Sequence, residues 1–126
     1  MIAGGTGITP LLQVIEEVLA DAGDETEMSL IYANKTVADI FLRDRDDFLA
    51  SKYPTRFKVR HVLSRSKPAG WTQATGHVTA DLIERHLPAP SADALVLLCG
   101  PQAMLDNAAS PALDALGYDL KRRVVF

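Results

Sequence analysis

The chain has 126 residues, 48% apolar and 23% charged, which fits one globular domain able to bury a core. A formal net charge of −3 with no basic face or stripe excludes a nucleic-acid module, and one cysteine, Cys99, excludes an internal disulfide framework. That cysteine fits a reducing compartment, and no apolar run is long enough to span a bilayer or to form a secretory leader, so the expected location is cytoplasmic, or the cytosolic face of a membrane if an anchor lies elsewhere.

The chain opens with Met1-Ile2-Ala3-Gly4-Gly5-Thr6-Gly7-Ile8-Thr9-Pro10, an order that reads as strand, tight turn and helix. The layout, with a turn only three residues in, suggests a piece of a longer protein. Glycines at such a turn reach positive φ and leave no Cβ in the way. Thr9 suits an N-cap and Pro10 the first helical position. A helix start of this kind presents free amides and a positive dipole end to a phosphate. It is not a P-loop, because no Lys-Ser or Lys-Thr pair follows. Nor is it the ordinary dinucleotide fingerprint, since Pro10 replaces the third glycine and the next strand ends Ala33-Asn34-Lys35 without a ribose-binding acid.

Leu11, Leu12, Ile15, Val18 and Leu19 recur at helical spacing, predicting a helix from Pro10 to about Ala22. Met28 to Ala33 is a nearly continuous apolar run, as expected of a strand covered on both faces. A polar loop, Asn34 to Asp39, follows at its carboxyl end, and Asp44 to Lys52 is expected to be a helix with Phe48 and Leu49 inward. The charged run Arg43 to Asp47 lacks the glycine and distal glutamate of a calcium loop and reads as a solvated face.

Phe57 to Leu63 alternates as a third strand. Ser64 to Gly76 is a long loop carrying Trp71, and Thr79 to Leu87 is a short helix. Ala94 to Leu98 is an apolar strand ending in Cys99-Gly100-Pro101. Met104, Leu105 and Ala108 begin a helix that Pro111 must interrupt or restart, with Ser110 as a cap. Val124, Val125 and Phe126 form a last strand. His61, His77 and His86 fall on a strand, a loop and a helix without a cysteine or carboxylate at metal spacing, so no metal site is expected.

The alternation predicts an α/β fold: a Rossmann-like three-layer domain with a parallel sheet of about five strands and helices on both faces. Ligands of such sheets lie beyond the carboxyl ends of the strands at the switch point. The glycine turn, Asn34, the loop from Ser64 and Cys99-Gly100-Pro101 all fall on that edge.

These residues resemble the ferredoxin-NADP reductase superfamily. Gly4 to Pro10, Tyr32-Ala33-Asn34 with Asp39-Ile40, and Cys99-Gly100-Pro101 with Met104 follow in that family's order, and the whole, including the Phe126 ending, is similar to its cytochrome b5 reductase and nitrate reductase branch. The resemblance covers residues 1–126 as an NAD(P)-binding domain; the family's flavin-binding barrel has no counterpart here. It implies a flavin-dependent NAD(P)H oxidoreductase that passes a hydride to FAD held mainly by a neighbouring domain, and electrons onward to a haem or iron-sulfur acceptor. Gly4, Gly5, Thr6 and Gly7 would approach the pyrophosphate and nicotinamide ribose, with Thr9 and Pro10 opening the helix behind them. Ala33 and Asn34 would lie by the adenosine. Thr6 and Cys99 would stand beside the nicotinamide, with Gly100, Pro101 and Met104 shaping that pocket. Hydride transfer of this kind needs close positioning of two rings rather than a general base.

His77 falls near the nucleotide loop, where the resemblance places an adenine contact. Phe126 either borders the flavin or is a buried strand end. NADH-using members of the branch carry an acid where Ser64 stands. Ser64-Arg65-Ser66-Lys67 resembles the NADPH-using pattern instead, in which a hydroxyl and cations bind a 2′-phosphate, so NADPH or dual use is expected. Two further readings remain beside the reductase: a non-catalytic NAD(P)H-binding or sensing module, and the reductase component of an oxygenase.

Overall fold

A computed structural model describes all of residues 1–126. Its sheet has six strands, β1 (Ile2–Gly4), β2 (Met28–Asn34), β3 (Phe57–Leu63), β4 (Ala74–Thr75), β5 (Val96–Cys99) and β6 (Arg123–Val125), in the order β4-β3-β2-β1-β5-β6. Every neighbouring pair is parallel. The strand absent from the expected five is β4, which sits inside the Ser64–Gly76 loop. Ala74 and Thr75 pair with Val62 and Leu63, and the Trp71 indole N–H donates to the Ala74 carbonyl at 3.0 Å to hold the loop down.

Helices α1 (Ile8–Ala20), α2 (Arg43–Lys52), α3 (Ala80–His86), α4 (Gln102–Met104) and α5 (Ser110–Ala115) cover the sheet, with a π-helical turn, Leu105–Ala109, between the last two. The pleat sorts the strand residues to two faces. Ala3, Leu30, Tyr32, Leu63 and Leu97 pack with α1 and α2; Ile2, Ile31, Val62, Val96 and Leu98 pack with the side chains of α3 and α5. Each such buried aliphatic side chain stabilises the fold by roughly 2 kcal/mol relative to exposure. No helix is long and apolar enough to cross a membrane.

Several local expectations are corrected. Helical geometry starts earlier than Thr9: Gly5–Gly7 is already a 3₁₀ turn, the Ile8 N–H bonds to the Gly5 and Thr6 carbonyls, and Gly7 occupies the N-cap. Thr9 therefore does not cap; its hydroxyl donates to the Thr6 carbonyl at 2.9 Å. Pro10 sits third in the helix, still within the turn whose N–H groups have no intrahelical partner. On α2, Leu49 is buried but Phe48 is 52% exposed, and the inward position belongs to Asp46. Pro111 does not break the last helix, because the π turn absorbs it, and Ser110 makes no capping bond. Phe126 is 54% exposed, so it is not a buried strand end.

Candidate functional site

The strand order reverses between β1 and β5, and the carboxyl ends of the strands open there into a cavity of about 1140 Å³. One wall is the turn Gly4–Gly7. Gly5 holds φ +53, a conformation costly for any residue with a side chain. A methyl group on Gly7 would overlap the backbone carbonyl of Cys99, so the two strand ends meet backbone to backbone. This contact brings the glycine turn against Cys99-Gly100-Pro101.

The other walls come from Ala33 and Asn34 at the end of β2, Ser64 after β3, His77 before α3, and Gly100, Pro101 and Met104 after β5. These sequence-predicted residues converge on one space. Thr9, Pro10, Arg65, Lys67, Cys99 and Phe126 do not line it. Cys99 nonetheless ends β5 beside Ala3 and contributes its carbonyl to the floor beneath Gly7. The Ser64 N–H donates to the Asn34 carbonyl and the Arg65 N–H to the Lys35 carbonyl, both at 3.0 Å, which carries the β2–β3 pairing one step past the strands and draws Arg65 to the rim.

Sequence reasoning missed Lys35, Asp39, Thr79, Asn107 and Ala108, all of which line the cavity. Lys35 adjoins Asn34, and Thr79 accepts from the Leu82 N–H as the N-cap of α3, so both had local signals. Asp39 closes a capping box: its carboxylate accepts from the hydroxyl of Thr36 at 2.7 Å and from the Thr36 N–H at 2.9 Å. Those bonds, helped by the charges of Lys35 and Arg65, hold its carboxyl below the usual range. The rim therefore carries a fixed negative charge between two cations.

Asn34 is the most demanding group in the cavity. It is 7% exposed, and neither its side-chain oxygen nor its nitrogen makes a well-formed hydrogen bond, although the Tyr32 hydroxyl lies close by. A buried amide left so costs about 1–3 kcal/mol unless something else satisfies it. Both amide atoms are themselves sealed from solvent and so do not face the open cavity; the room and the bare glycine backbone beside Asn34 fit an extended phosphate-bearing molecule.

Residues 1–110 match the family model described as the oxidoreductase NAD-binding domain. The chain belongs to that family. It is 49% identical over 126 residues to NADH-cytochrome b5 reductase 1 of Rattus norvegicus, covering all of this chain and 41% of that protein. It is 46% identical over 125 residues to the NADH nitrate reductase of Solanum lycopersicum, covering 99% of this chain and 14% of that one. The chain thus spans less than half the length of these relatives. The cytochrome b5 reductase domain of Ulva prolifera nitrate reductase superposes with a TM-score of 0.95 at 39% identity, over all of this chain and 48% of that one. The expected fold and the resemblance to this branch are both borne out.

Proposed function

We propose that this domain holds a nicotinamide dinucleotide across the cavity and presents it to FAD in a neighbouring domain, as half of a reductase that feeds a haem or iron-sulfur acceptor. The observation that carries this is the meeting of the Gly4–Gly7 turn with Gly100-Pro101 at the sheet's reversal point, with Asn34, Ser64 and His77 lining the same space. The amides of the glycine turn receive the pyrophosphate at the start of α1, where the helix dipole favours negative charge. Ala33 and Asn34 lie beside the adenosine portion. Thr6 lies beside the nicotinamide, with Cys99 behind the lining and supporting Gly7 through its backbone; the residues there position the ring and exclude water rather than exchange protons. Once bound, the reduced nicotinamide supplies the hydride. The single cysteine accords with a cytoplasmic setting.

The Rattus norvegicus and Solanum lycopersicum relatives are named as NADH enzymes, and Ser64 is the reason to extend the coenzyme range to NADPH. Ser64 lines the cavity with Lys35, and Arg65 stands beside them at the rim, as a 2′-phosphate would require. Calorimetric titration of the chain with NADH and NADPH tests both statements. Binding of either supports the nucleotide site, and none at millimolar concentration overturns it. Ser64→Asp should move the affinity ratio at least tenfold toward NADH by placing a second carboxylate at the rim. An unchanged ratio would sink NADPH use alone.

A further inference from the structure

Pro111 lies outside the residues assigned to the nucleotide. The helix that follows β5 runs as α4, the π turn and α5, and at the junction the Ser110 N–H donates to the carbonyl of Leu105, five residues back rather than four. Pro111 comes next. Inside a helix a proline gives no N–H, and its ring crowds the carbonyl four residues earlier, here that of Asn107. Widening the turn by one residue relieves that crowding without ending the helix.

Both ends of the segment are pinned, which is why it widens instead of breaking. Met104 packs onto bare backbone, where a Cβ added to Gly100 would lie 2.7 Å from its methyl group. Leu105, Ala109 and Leu113 are buried against the sheet. In an α-helix, residues four apart drift around the axis by about 40°. The wider turn cancels this drift, so Leu105, Ala109 and Leu113 stay on the core side. Met104, Ala108 and Ala112 stay on the cavity side, with Asn107 beside them.

We propose that Pro111 is a positioning residue for the dinucleotide: by enforcing the π turn it aims Asn107, Ala108 and Ala112 at the cavity and sets the width of that wall. The proposal rests on the nucleotide assignment above. What separates it from a merely structural role is nucleotide affinity, read in a variant that still folds. Pro111→Ala restores the missing donor and removes the crowded ring, so the helix should relax to α geometry, with a lowered melting temperature because the buried Leu113 turns together with the wall. The same change should weaken dinucleotide binding on the order of tenfold, because the wall turns away from the ligand.

The experiment uses the full chain, Pro111→Ala and Ala108→Val, with calorimetric titration against NADH and NADPH, thermal melting, and a crystal structure of Pro111→Ala. Loss of the π turn together with weaker binding by a chain that still folds supports the proposal. Ala108→Val should also bind more weakly while keeping the turn, since the added methyl groups fill the same wall. A π turn that persists in Pro111→Ala, a Pro111→Ala chain that fails to fold, or either variant binding as tightly as the parent overturns it. If the parent binds neither nucleotide, the nucleotide assignment falls first and this proposal with it; equal binding by parent and variants removes only the role of Pro111.

Discussion

The phenolic hydroxyl of Tyr32 lies 2.9 Å from the carbonyl oxygen of Gly5 and 3.1 Å from that of Phe41. One proton thus ties the glycine turn to the segment that leads into α2, from a side chain with no solvent exposure. Burial raises the phenol above its ordinary range, so it remains a donor throughout physiological pH. Tyr32→Phe keeps the packing and removes the bridge. The expected loss is about 1 kcal/mol in urea unfolding. Nucleotide affinity should fall as well, because Gly5 at φ +53 no longer has its carbonyl fixed; unchanged affinity would show that the turn holds its shape unaided.

Asp46 gives the fold a pH dependence. Its carboxylate is wholly buried and neither oxygen has a partner. Burial first, and then the neighbouring charges of Asp47 and Glu16, push its carboxyl up to about 7. The folded state therefore holds a proton that the unfolded chain releases near pH 4, and stability falls as pH rises from that point to about 7, then levels off. Asp46→Asn should be more stable than the parent at pH 8, by on the order of 3 kcal/mol, and no more stable at pH 3.5. Denaturant titrations at the two pH values check this; a gain of equal size at both would place its cause elsewhere.

Gly7 separates backbone packing from ligand contact. Alanine there would drive its methyl group into the Cys99 carbonyl, and a backbone neighbour cannot rotate aside. Gly4→Ala would meet the Met104 sulfur at 2.7 Å, the far part of a flexible side chain, and the Pro101 ring Cδ at 2.9 Å, but no backbone carbonyl. Gly7→Ala should therefore cost more, on the order of 3 kcal/mol against about 1 for Gly4→Ala. Thermal melts of the two variants give the ranking, and the reverse order would contradict the close approach of β1 and β5.

Neighbouring residues on α2 should behave in opposite ways. Leu49 is buried in the core and its truncation to alanine should cost about 2–5 kcal/mol. Phe48 projects into solvent beside Arg45 and Lys52, so Phe48→Ala should change stability by about 0.5 kcal/mol or less. Urea unfolding of the pair would reveal at once whether α2 is rotated from the facing described here.

The order of strands and helices could be read from the chain because each buried parallel strand is a short apolar run, and the turns between are marked by glycine, proline and polar residues. The site was legible for a related reason: Gly4–Gly7 and Gly100-Pro101 are needed where backbones approach, and that need is written in residue type. Phe48 was misplaced since a ten-residue helix with mixed charge has no strong apolar stripe to mark its inward face. β4 carries no period in two residues and exists only because β3 lies ready to pair with it. Ala108 and Asn107 could not be singled out, because nothing in an alanine distinguishes a cavity wall from a core contact before the π turn is known.

The three residues of β1 bind the two halves of the sheet together, pairing with β2 on one side and with β5, near the other end of the sequence, on the other. Until that distant pairing forms, the assembly is two separate ribbons, so closure of a very long loop should govern how fast the molecule folds. The same arrangement means that a chain severed in the exposed stretch at Pro88–Ser91 should yield two fragments that are each unstable alone and that reassemble when mixed, the shared central strand acting as the clasp.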